Sequence, residues 1–454
     1  MEKININDIK TYTKGSIIKN NNQNPITKVS IDSRDINEET LFVPIIGAKF
    51  DGHTFMESAY EKGCRNFLED KNHDFQKEDI NIVKVDDTTK AFGQIAKGYK
   101  EKFNIPIIAV TGSVGKTSTK DIITSVLKTK YNVTKTQGNH NNEIGLPKTL
   151  LTITKKTELA VIEMGMDKKG EIDYLTNLVN PNIGIITNIG MSHIMNFENQ
   201  EGIFNAKMEI INGFKNNGLL IVNGDDKYLK TLKKQKHNYE LLTYGFNKEN
   251  DIYCKKYTIN ENTSNFTCIY QEKEYNFTIS SIAKHNIGNA LIAIILGLKY
   301  KLTPEQIQKG LLEIELSQNR LDIIKTDKYT IINDTYNSSY DSVMSALEVL
   351  NNFKTRKVAI LGDILELGKY SEQIHKKIGK NINCDVLIAI GNEAKWIYEE
   401  ANKNIESYYF LTKEEFYDKM NAVLKDKDTI LVKASRGMEL DKVVEQIKLN
   451  SRGN

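Results

Sequence analysis

The sequence predicts an α/β protein of three domains, and three observations lead to this prediction. The chain has 454 residues, which is too long for one hydrophobic core and corresponds to about three domains of ordinary size. Short apolar runs alternate with helical patterns along most of the chain, as in largely parallel sheets covered by helices. Near residue 110 an apolar strand enters a glycine-rich turn that contains a lysine, and a helical pattern follows.

The composition limits the classes of partner. Sixty-two basic and 59 acidic residues leave a net charge of +3 without long runs of one sign, so neither nucleic acid nor a membrane surface is indicated, and the expected partner is a small molecule. The four cysteines lie far apart, and neither a signal region nor a membrane span is evident in the sequence. We therefore expect a cytoplasmic monomer.

Residues 1–88 form the first predicted domain, a small α/β unit. Its landmark is the segment VSIDSRD at 29–35. Arg34 can form a forked contact with a phosphate, and the hydroxyl of Ser33 can add a hydrogen bond. From this segment alone a surface salt bridge is the favoured role for this arginine, because exposed arginines are common. The predicted elements are a strand at 41–45, a helix at 54–62 and a strand at 80–85.

The second predicted domain, 89–315, contains the glycine-rich turn TGSVGKTST at 111–119. Gly112 and Gly115 allow backbone N–H groups to turn toward a phosphate, Lys116 can reach terminal phosphates, and the Thr117 hydroxyl can bind Mg²⁺. The strict phosphate-loop spacing requires glycine at position 110, where this chain has Val110. A glycine turn that carries a surface lysine is the alternative.

The rest of the second domain predicts a mainly parallel sheet with an antiparallel appendage. A tyrosine- and threonine-rich alternating pattern at 252–279 indicates the appendage. The remaining predicted elements are helices at 89–99, 119–130 and 285–300, and strands at 132–135, 159–164, 183–187, 218–222 and 240–243.

Three polar side chains follow apolar strands of this sheet, at the edge where parallel strands bind ligands. Glu163 ends one strand, His193 follows the next, and Lys207 lies on a helix shortly after. Taken singly, each could be a structural pair, a loop residue or a solvated lysine. Together they predict a shell for Mg²⁺ and phosphate.

Residues 316–454 alternate strands and helices again and predict a Rossmann-like, doubly wound domain. Its strands are predicted at 330–333, 357–362, 385–391, 407–411 and 429–434. Loops at strand ends carry the polar segments NDTYNSS at 333–339, LGDILELG at 361–368 and KASRGME at 433–439. Arg320 lies at the junction with the second domain, where a hinge would place it over a nucleotide.

With these motifs the sequence resembles the Mur ligase family across all three domains. Members of the family use ATP to phosphorylate a carboxylate, and an amine then attacks the acyl phosphate. Two motifs, GNHNNEIG and LGDILELG, favour the branch that adds D-alanyl-D-alanine to a UDP-N-acetylmuramoyl-tripeptide. The matching segments are DSR at 32–34, FDGH at 50–53, TGSVGKTSTK at 111–120, GNHNNEIGLP at 138–147, EMG at 163–165, TNIG at 187–190 with His193, AKMEI at 206–210, HNIGNA at 285–290, NDTYN at 333–337, LGDILELG at 361–368 and SRGM at 435–438.

The resemblance implies roles for individual residues. Lys116, Lys207, His193 and Glu163 would be catalytic, and Ser33 and Arg34 would bind the uridine diphosphate end of the substrate. Thr117, Glu163, His193 and Lys207 would hold Mg²⁺, with Lys207 carboxylated to a carbamate. The ATP-contacting set would be Gly112, Ser113, Gly115, Lys116, Thr117, Ser118, His285, Asn286, Asn289, Arg320 and Asp334.

Two functions of other classes stay open on the sequence. The first is another phosphate-loop ATPase or a nucleotide kinase. The second is a non-catalytic partner of cell-wall enzymes that has kept the fold. The sequence does not distinguish lysine from diaminopimelate as the third residue of the accepted peptide.

Overall fold

The computed structural model describes residues 1–47, 49–215, 217–401 and 405–451. Its strands form three separate sheets of five, nine and six strands, in chain order. This confirms the predicted three-domain α/β architecture. No helix in the described ranges combines the length and the apolar character that crossing a lipid bilayer requires.

The first sheet has the strand order β1-β5-β4-β3-β2, in which only β1 is antiparallel to its neighbour. The sequence missed β1, β2 and β4, and β1 alternates half-buried and exposed residues as an edge strand does. The elements of this domain are β1 (Ser16–Asn20), β2 (Lys28–Ser30), β3 (Thr40–Phe42), β4 (Asn66–Glu69), β5 (Asn81–Lys84), α1 (Ile6–Thr13) and α2 (Met56–Glu61).

The central sheet has the order β14-β13-β12-β11-β10-β9-β6-β8-β7 and is parallel from β7 to β12. The predicted appendage is antiparallel, but it continues the main sheet instead of standing apart from it. The strands are β6 (Ile107–Thr111), β7 (Val133–Lys135), β8 (Leu159–Glu163), β9 (Ile183–Ile186), β10 (Leu219–Asn223), β11 (Glu240–Gly245), β12 (Ile252–Ile259), β13 (Ser264–Tyr270) and β14 (Lys273–Ile279).

Helices cover both faces of the central sheet. Five core residues of β6 are buried, as expected for a strand in the middle of a parallel sheet. The helices of this domain are α3 (Thr88–Lys100), α4 (Lys116–Lys128), α5 (Gly145–Leu150), α6 (Glu171–Val179), α7 (Gln200–Met208), α8 (Lys284–Lys299) and α9 (Pro304–Leu312).

The third sheet has the order β15-β16-β20-β17-β18-β19, and only the edge strand β15 is antiparallel. The sequence missed β15. The elements are β15 (Asp322–Lys325), β16 (Thr330–Asn333), β17 (Lys357–Gly362), β18 (Val386–Ile390), β19 (Glu406–Phe410), β20 (Thr429–Lys433), α10 (Tyr340–Asn351), α11 (Ser371–Asn381), α12 (Lys395–Glu400), α13 (Lys413–Val423) and α14 (Asp441–Ser451).

Candidate nucleotide and metal site

The turn between β6 and α4 has the backbone geometry of a phosphate-binding loop. Gly115 precedes the helix with φ 83°, and Gly112 has φ 151°. A Cβ atom at Gly112 would lie 1.8 Å from the Thr187 hydroxyl oxygen, so only glycine fits there. Within the described residues, no acceptor meets the N–H groups of Gly115, Lys116 and Thr117. The start of α4 therefore offers free donors and a positive helix end to an anion.

The loop after β9 supports this turn. The Ser113 N–H donates to the Asn188 backbone oxygen at 3.1 Å, and the Val114 N–H donates to Asn188 Oδ1 at 2.9 Å. The Val114 carbonyl accepts from the Thr187 hydroxyl at 2.6 Å. The N–H groups of Ser113 and Val114 thus fix the loop, and those at the helix start are left for a ligand.

Lys116 folds back over the loop, where its Nζ donates to the Gly112 carbonyl at 2.9 Å. Burial lowers the pKa of Lys116, and the carboxylate of Glu163 opposes that shift. The amine of Lys116 therefore lies at the position where a terminal phosphate would reach the loop.

Glu163, at the end of β8, carries a buried and half-satisfied carboxylate. Its side chain is 2 % exposed, and Oε1 accepts from Asn141 Nδ2 at 2.8 Å. Oε2 has no hydrogen-bond partner in the ranges that the structure covers. A buried anionic oxygen without a donor is costly unless a cation binds to it, which fits a metal ligand.

His193 lies between two carboxylates that the sequence did not predict. Its Nδ1 is 2.6 Å from Glu366 Oε2 and 3.2 Å from Asp167 Oδ1, although neither contact has the alignment of a hydrogen bond. Burial lowers the pKa of His193, and Glu366 opposes this shift. Since Glu366 belongs to the third domain, this contact joins the two domains beside the phosphate loop.

Lys207, on α7, is 4 % exposed. Among the described residues neither a carboxylate nor a carbonyl pairs with its ammonium group. Burial lowers its pKa well below the ordinary lysine value, and the charge of Lys116 lowers it further. The charge of Lys207 also lowers the pKa of His193. Lys116, His193 and Lys207 therefore lie close enough to affect one another electrostatically. Lys207 does not line the cavity surface directly.

The start of α8 forms another wall. Asn289 Nδ2 donates to Asn286 Oδ1 at 3.0 Å, and Asn289 Oδ1 accepts from the Thr119 hydroxyl at 3.0 Å. These two amides thus tie α8 to α4 and position neighbouring groups. Burial lowers the pKa of His285, whereas Asp334 of the third domain opposes this shift.

The third domain contributes Arg320 and Asp334. Arg320 stacks on Tyr336, with its guanidinium carbon 3.9 Å from the ring centroid, and its buried Nε has no partner in the described part of the chain. Asp334 accepts from the buried Lys433 Nζ at 2.6 Å. Asn319 and Leu321, on either side of Arg320, have φ 59° and 57°. The backbone around Arg320 is thus held in a conformation that non-glycine residues rarely adopt.

These walls enclose one cavity of about 960 Å³ between the central and third domains. Most of the predicted nucleotide and metal residues line it. They are Ser113, Gly115, Lys116, Thr117, Ser118, Glu163, His193, His285, Asn286, Asn289, Arg320 and Asp334. The volume is in the range of small-molecule sites.

Ser33 and Arg34 lie outside this cavity. The Arg34 side chain is 84 % exposed, and it forms a fork with Asp32, with Nε to Oδ1 at 2.9 Å and Nη2 to Oδ2 at 2.8 Å. The geometry here is that of the surface ion pair considered above. Binding of a diphosphate by Arg34 stays a prediction.

Sequence reasoning missed Asp167, Glu366, Tyr336, Lys433 and Asn141. Asp167 lies two positions after EMG and Tyr336 lies within NDTYN, so these motifs were the available signal. The meeting of Glu366 with His193 had no local signal, since 173 positions and a domain boundary separate them.

Models of known protein families match this chain in each of its three domains. Residues 25–100 match the model "Mur ligase family, catalytic domain", residues 110–297 match "Mur ligase middle domain", and residues 319–436 match "Mur ligase, glutamate ligase domain".

Two curated relatives carry one name, UDP-N-acetylmuramoyl-tripeptide–D-alanyl-D-alanine ligase. The Bacillus subtilis protein is 39 % identical over 98 % of this chain and 99 % of its own length. The Escherichia coli protein is 29 % identical over 93 % of this chain and 94 % of its own.

Two solved structures share the whole fold. MurF from Acinetobacter baumannii superposes with a TM-score of 0.92, at 28 % identity and 99 % coverage of both chains. MurF ligase from Thermotoga maritima, in complex with ADP, gives a TM-score of 0.85 at 26 % identity, covering 94 % of this chain and 98 % of that one. The chain whose cleft is described above therefore belongs to the Mur ligase family.

Proposed function

We propose that this protein is an ATP-dependent ligase that joins D-alanyl-D-alanine to UDP-N-acetylmuramoyl-tripeptide in peptidoglycan precursor synthesis. Its main support is the full-length similarity to ligases of that name, at 39 % identity in the Bacillus subtilis relative. The ADP complex of the Thermotoga maritima ligase supports the use of a nucleotide. Charged groups of the cleft that are buried without a partner in the described ranges supply what such a reaction needs.

The reaction has two steps. In the first, a carboxylate oxygen of the tripeptide attacks the γ-phosphorus of ATP, the bond to the β-phosphate oxygen breaks, and ADP leaves. In the second, the dipeptide amine attacks the acyl carbon, the C–O bond breaks, and inorganic phosphate leaves with the formation of the amide. Lys116 and the free N–H groups at the start of α4 bind and orient the phosphates. Arg320 faces the same cavity from the third domain.

A divalent ion fits the donor set of this cleft. Glu163 lines the cavity and carries in Oε2 a buried anionic oxygen without a hydrogen-bond partner among the described residues, and Thr117 and His193 would add a hydroxyl oxygen and a ring nitrogen. When bound, Mg²⁺ neutralises phosphate charge and polarises the phosphoryl group. The buried Lys207 would join this set as a carbamate, because its lowered pKa favours the neutral amine that reacts with CO₂.

We further propose 1–88 as the UDP-substrate domain, 89–315 as the ATP-binding ligase domain and 316–454 as the nucleotide-capping domain. The three separate sheets support this division. Ser33 and Arg34 would hold the uridine diphosphate end. A monomer working in the cytoplasm belongs to the same proposal.

The experiment is a phosphate-release assay with a panel of UDP-muramoyl peptides and dipeptides. We expect release only when ATP, a UDP-muramoyl-tripeptide and D-alanyl-D-alanine are all present, with an equivalent of amide product. Phosphate release without the dipeptide would indicate an ATPase. Formation of ADP and a phosphorylated acceptor without phosphate release would indicate a kinase, and neither ADP nor phosphate with any pair would indicate a non-catalytic relative. Tripeptides ending in L-lysine or in diaminopimelate identify the third residue that the enzyme accepts.

A further inference from the structure

The linker between the central and third domains, which runs from α9 to β15, is held first by one domain and then by the other. Ile314 and Leu316 pack against the apolar core of the central domain. The backbone N–H and the hydroxyl of Ser317 both donate to Oδ2 of Asp121, at 3.1 and 2.7 Å. The central domain therefore holds the linker as far as Ser317.

The third domain holds the chain two residues later, at Asn319. The Asn319 carbonyl accepts from the N–H of Tyr336 at 3.1 Å, and its side-chain oxygen accepts from Asn333 Nδ2 at 3.0 Å. Gln318, which is exposed, is the one residue between the two anchored positions. Arg320 follows directly and lines the cavity. The two anchors therefore determine where the guanidinium group of Arg320 lies in the cleft.

Asp121 is a fully buried carboxylate whose two oxygens have different partners. Oδ1 accepts from Lys135 Nζ at 2.7 Å and lies 3.2 Å from Lys120 Nζ, whereas Oδ2 accepts both bonds from Ser317. Burial by itself would raise the pKa of Asp121, but the charges of Lys120 and Lys135 outweigh it and hold that pKa below its usual range. Ser317 thus donates to a charged acceptor, which strengthens its two hydrogen bonds.

Asp121 also belongs to the helix that starts at the phosphate loop. α4 begins at Lys116, and five residues of helix correspond to about 7.5 Å along its axis. A buried ion pair contributes little net stability in comparison with apolar residues of the same size. Its hydrogen bonds do, however, fix one geometry between two elements. Here the two elements are the helix of the phosphate loop and the linker that leads to Arg320.

We propose that Asp121 is a positioning residue for Arg320. It holds Ser317 on the helix of the phosphate loop, and so it sets the distance from that loop at which the third domain begins and Arg320 meets the phosphates. This inference rests on the proposed function, in which Arg320 faces bound ATP. Neither Asp121 nor Ser317 lines the cavity, so both act through Arg320.

A double-mutant cycle on the full chain tests this proposal. The readout is the Kd of the non-hydrolysable ATP analogue AMP-PNP in the presence of Mg²⁺. Arg320→Ala should raise this Kd about 10- to 100-fold, as the loss of a charged contact does. Ser317→Ala removes one of the two bonds to Asp121 and should raise the Kd about fivefold, and Asp121→Asn should raise it further. In the Arg320→Ala background, Ser317→Ala should add less than about twofold, because the group that it positions is absent.

Lys135→Gln is the matched control, because it breaks a pair at the other oxygen of the same carboxylate and leaves both bonds to Ser317. Its thermal unfolding midpoint should fall, whereas its Kd for AMP-PNP should equal that of the native chain. Circular dichroism verifies that each variant is folded. Ser317→Ala leaves the lysine pairs of Asp121 intact, so the cycle can be completed even if Asp121→Asn does not fold.

Two independent losses that multiply in the double variant would overturn the proposal, because a merely structural contact acts without Arg320. An unchanged Kd in Arg320→Ala, or in both Ser317→Ala and Asp121→Asn, would overturn it as well. So would a rise in Lys135→Gln as large as that in Ser317→Ala. A chain that binds AMP-PNP but forms no amide contradicts the proposed ligase function alone, and the cycle then still decides the role of Asp121.

Discussion

The cleft between the central and third domains and the loop around Arg34 both carry charged side chains, but they differ in burial and in pairing. In the cleft, Glu163 Oε2 and Arg320 Nε are buried without partners in the described chain. Arg34 is almost fully exposed and already forms a fork with Asp32. Burial without a partner is costly, whereas an exposed ion pair costs and contributes little. The cleft is therefore built for a charged ligand, and the Arg34 loop needs none in order to be stable.

The sharpest way to test this contrast is Lys116→Ala. Removing the one lysine of the phosphate loop should lower kcat by about 1,000-fold, because it removes a charge aimed at the transferred phosphate. UDP-substrate binding should stay nearly unchanged, since that substrate is assigned to the first domain. Steady-state kinetics and equilibrium binding measure the two quantities. Lys128→Ala, an exposed lysine on the same helix, should behave as the native enzyme, and turnover of Lys116→Ala within a few-fold of native would contradict the assignment.

Lys207 gives the next largest effect, and its variants distinguish a carbamate from a cation. Lys207→Ala should lower kcat by about 100-fold and recover partly when short carboxylic acids fill the space. Lys207→Arg keeps the charge but does not form a carbamate, so it should stay inactive. An active arginine variant, or rescue of alanine by amines instead, would show that a cation is what the site uses.

The pKa of Lys207 adds a pH dependence to this prediction. Because burial holds that pKa well below the ordinary lysine value, the neutral amine is available at a lower pH than for a surface lysine. Carbamate, followed by ¹³CO₂ labelling, should persist at high pH and disappear as pH falls through the lowered pKa. A native enzyme without a carbamate signal at any pH would rule out this role.

Arg34 should give the smallest effect. If it binds the diphosphate, Arg34→Ala should raise the KM for the UDP-substrate roughly tenfold and leave the KM for ATP unchanged. Lys28→Ala is the matched control, because Lys28 pairs with Asp35 in the same loop. An equal change in both KM values, or none in either, would leave Arg34 as the surface ion pair that the structure shows.

The sequence predicted well those parts of the molecule in which the signal is local. The strand before the phosphate loop and the third-domain strands β16 to β20 follow from apolar runs, and most of the nucleotide and metal residues that the resemblance named line one cavity. The helix after the loop was predicted from 119, but α4 begins at Lys116 because Gly115 turns the chain into it with a left-handed conformation. A polar first turn has no apolar period, so periodicity could not reveal it.

The remaining parts depend on tertiary contacts. Glu366 reaches His193 only because the third domain packs beside the phosphate loop, and no local pattern encodes that packing. His193 itself has φ 59°, which its residue type does not predict. The sequence allowed either a phosphate contact or a surface salt bridge for Arg34. The structure shows that its guanidinium donates hydrogen bonds to the Asp32 carboxylate.

The order of strands in the third sheet has a consequence for synthesis of the chain. β20 lies between β16 and β17, although it is the last of the three to be translated. Until residue 433 has left the ribosome, β16 and β17 expose unpaired edges to each other and to other chains. The same strand brings in Lys433, which pairs with Asp334 in the cleft. A nascent chain that stops before β20 therefore has an incomplete active site and two unpaired, aggregation-prone strand edges. We expect chaperone contact to matter most while the third domain is being synthesised.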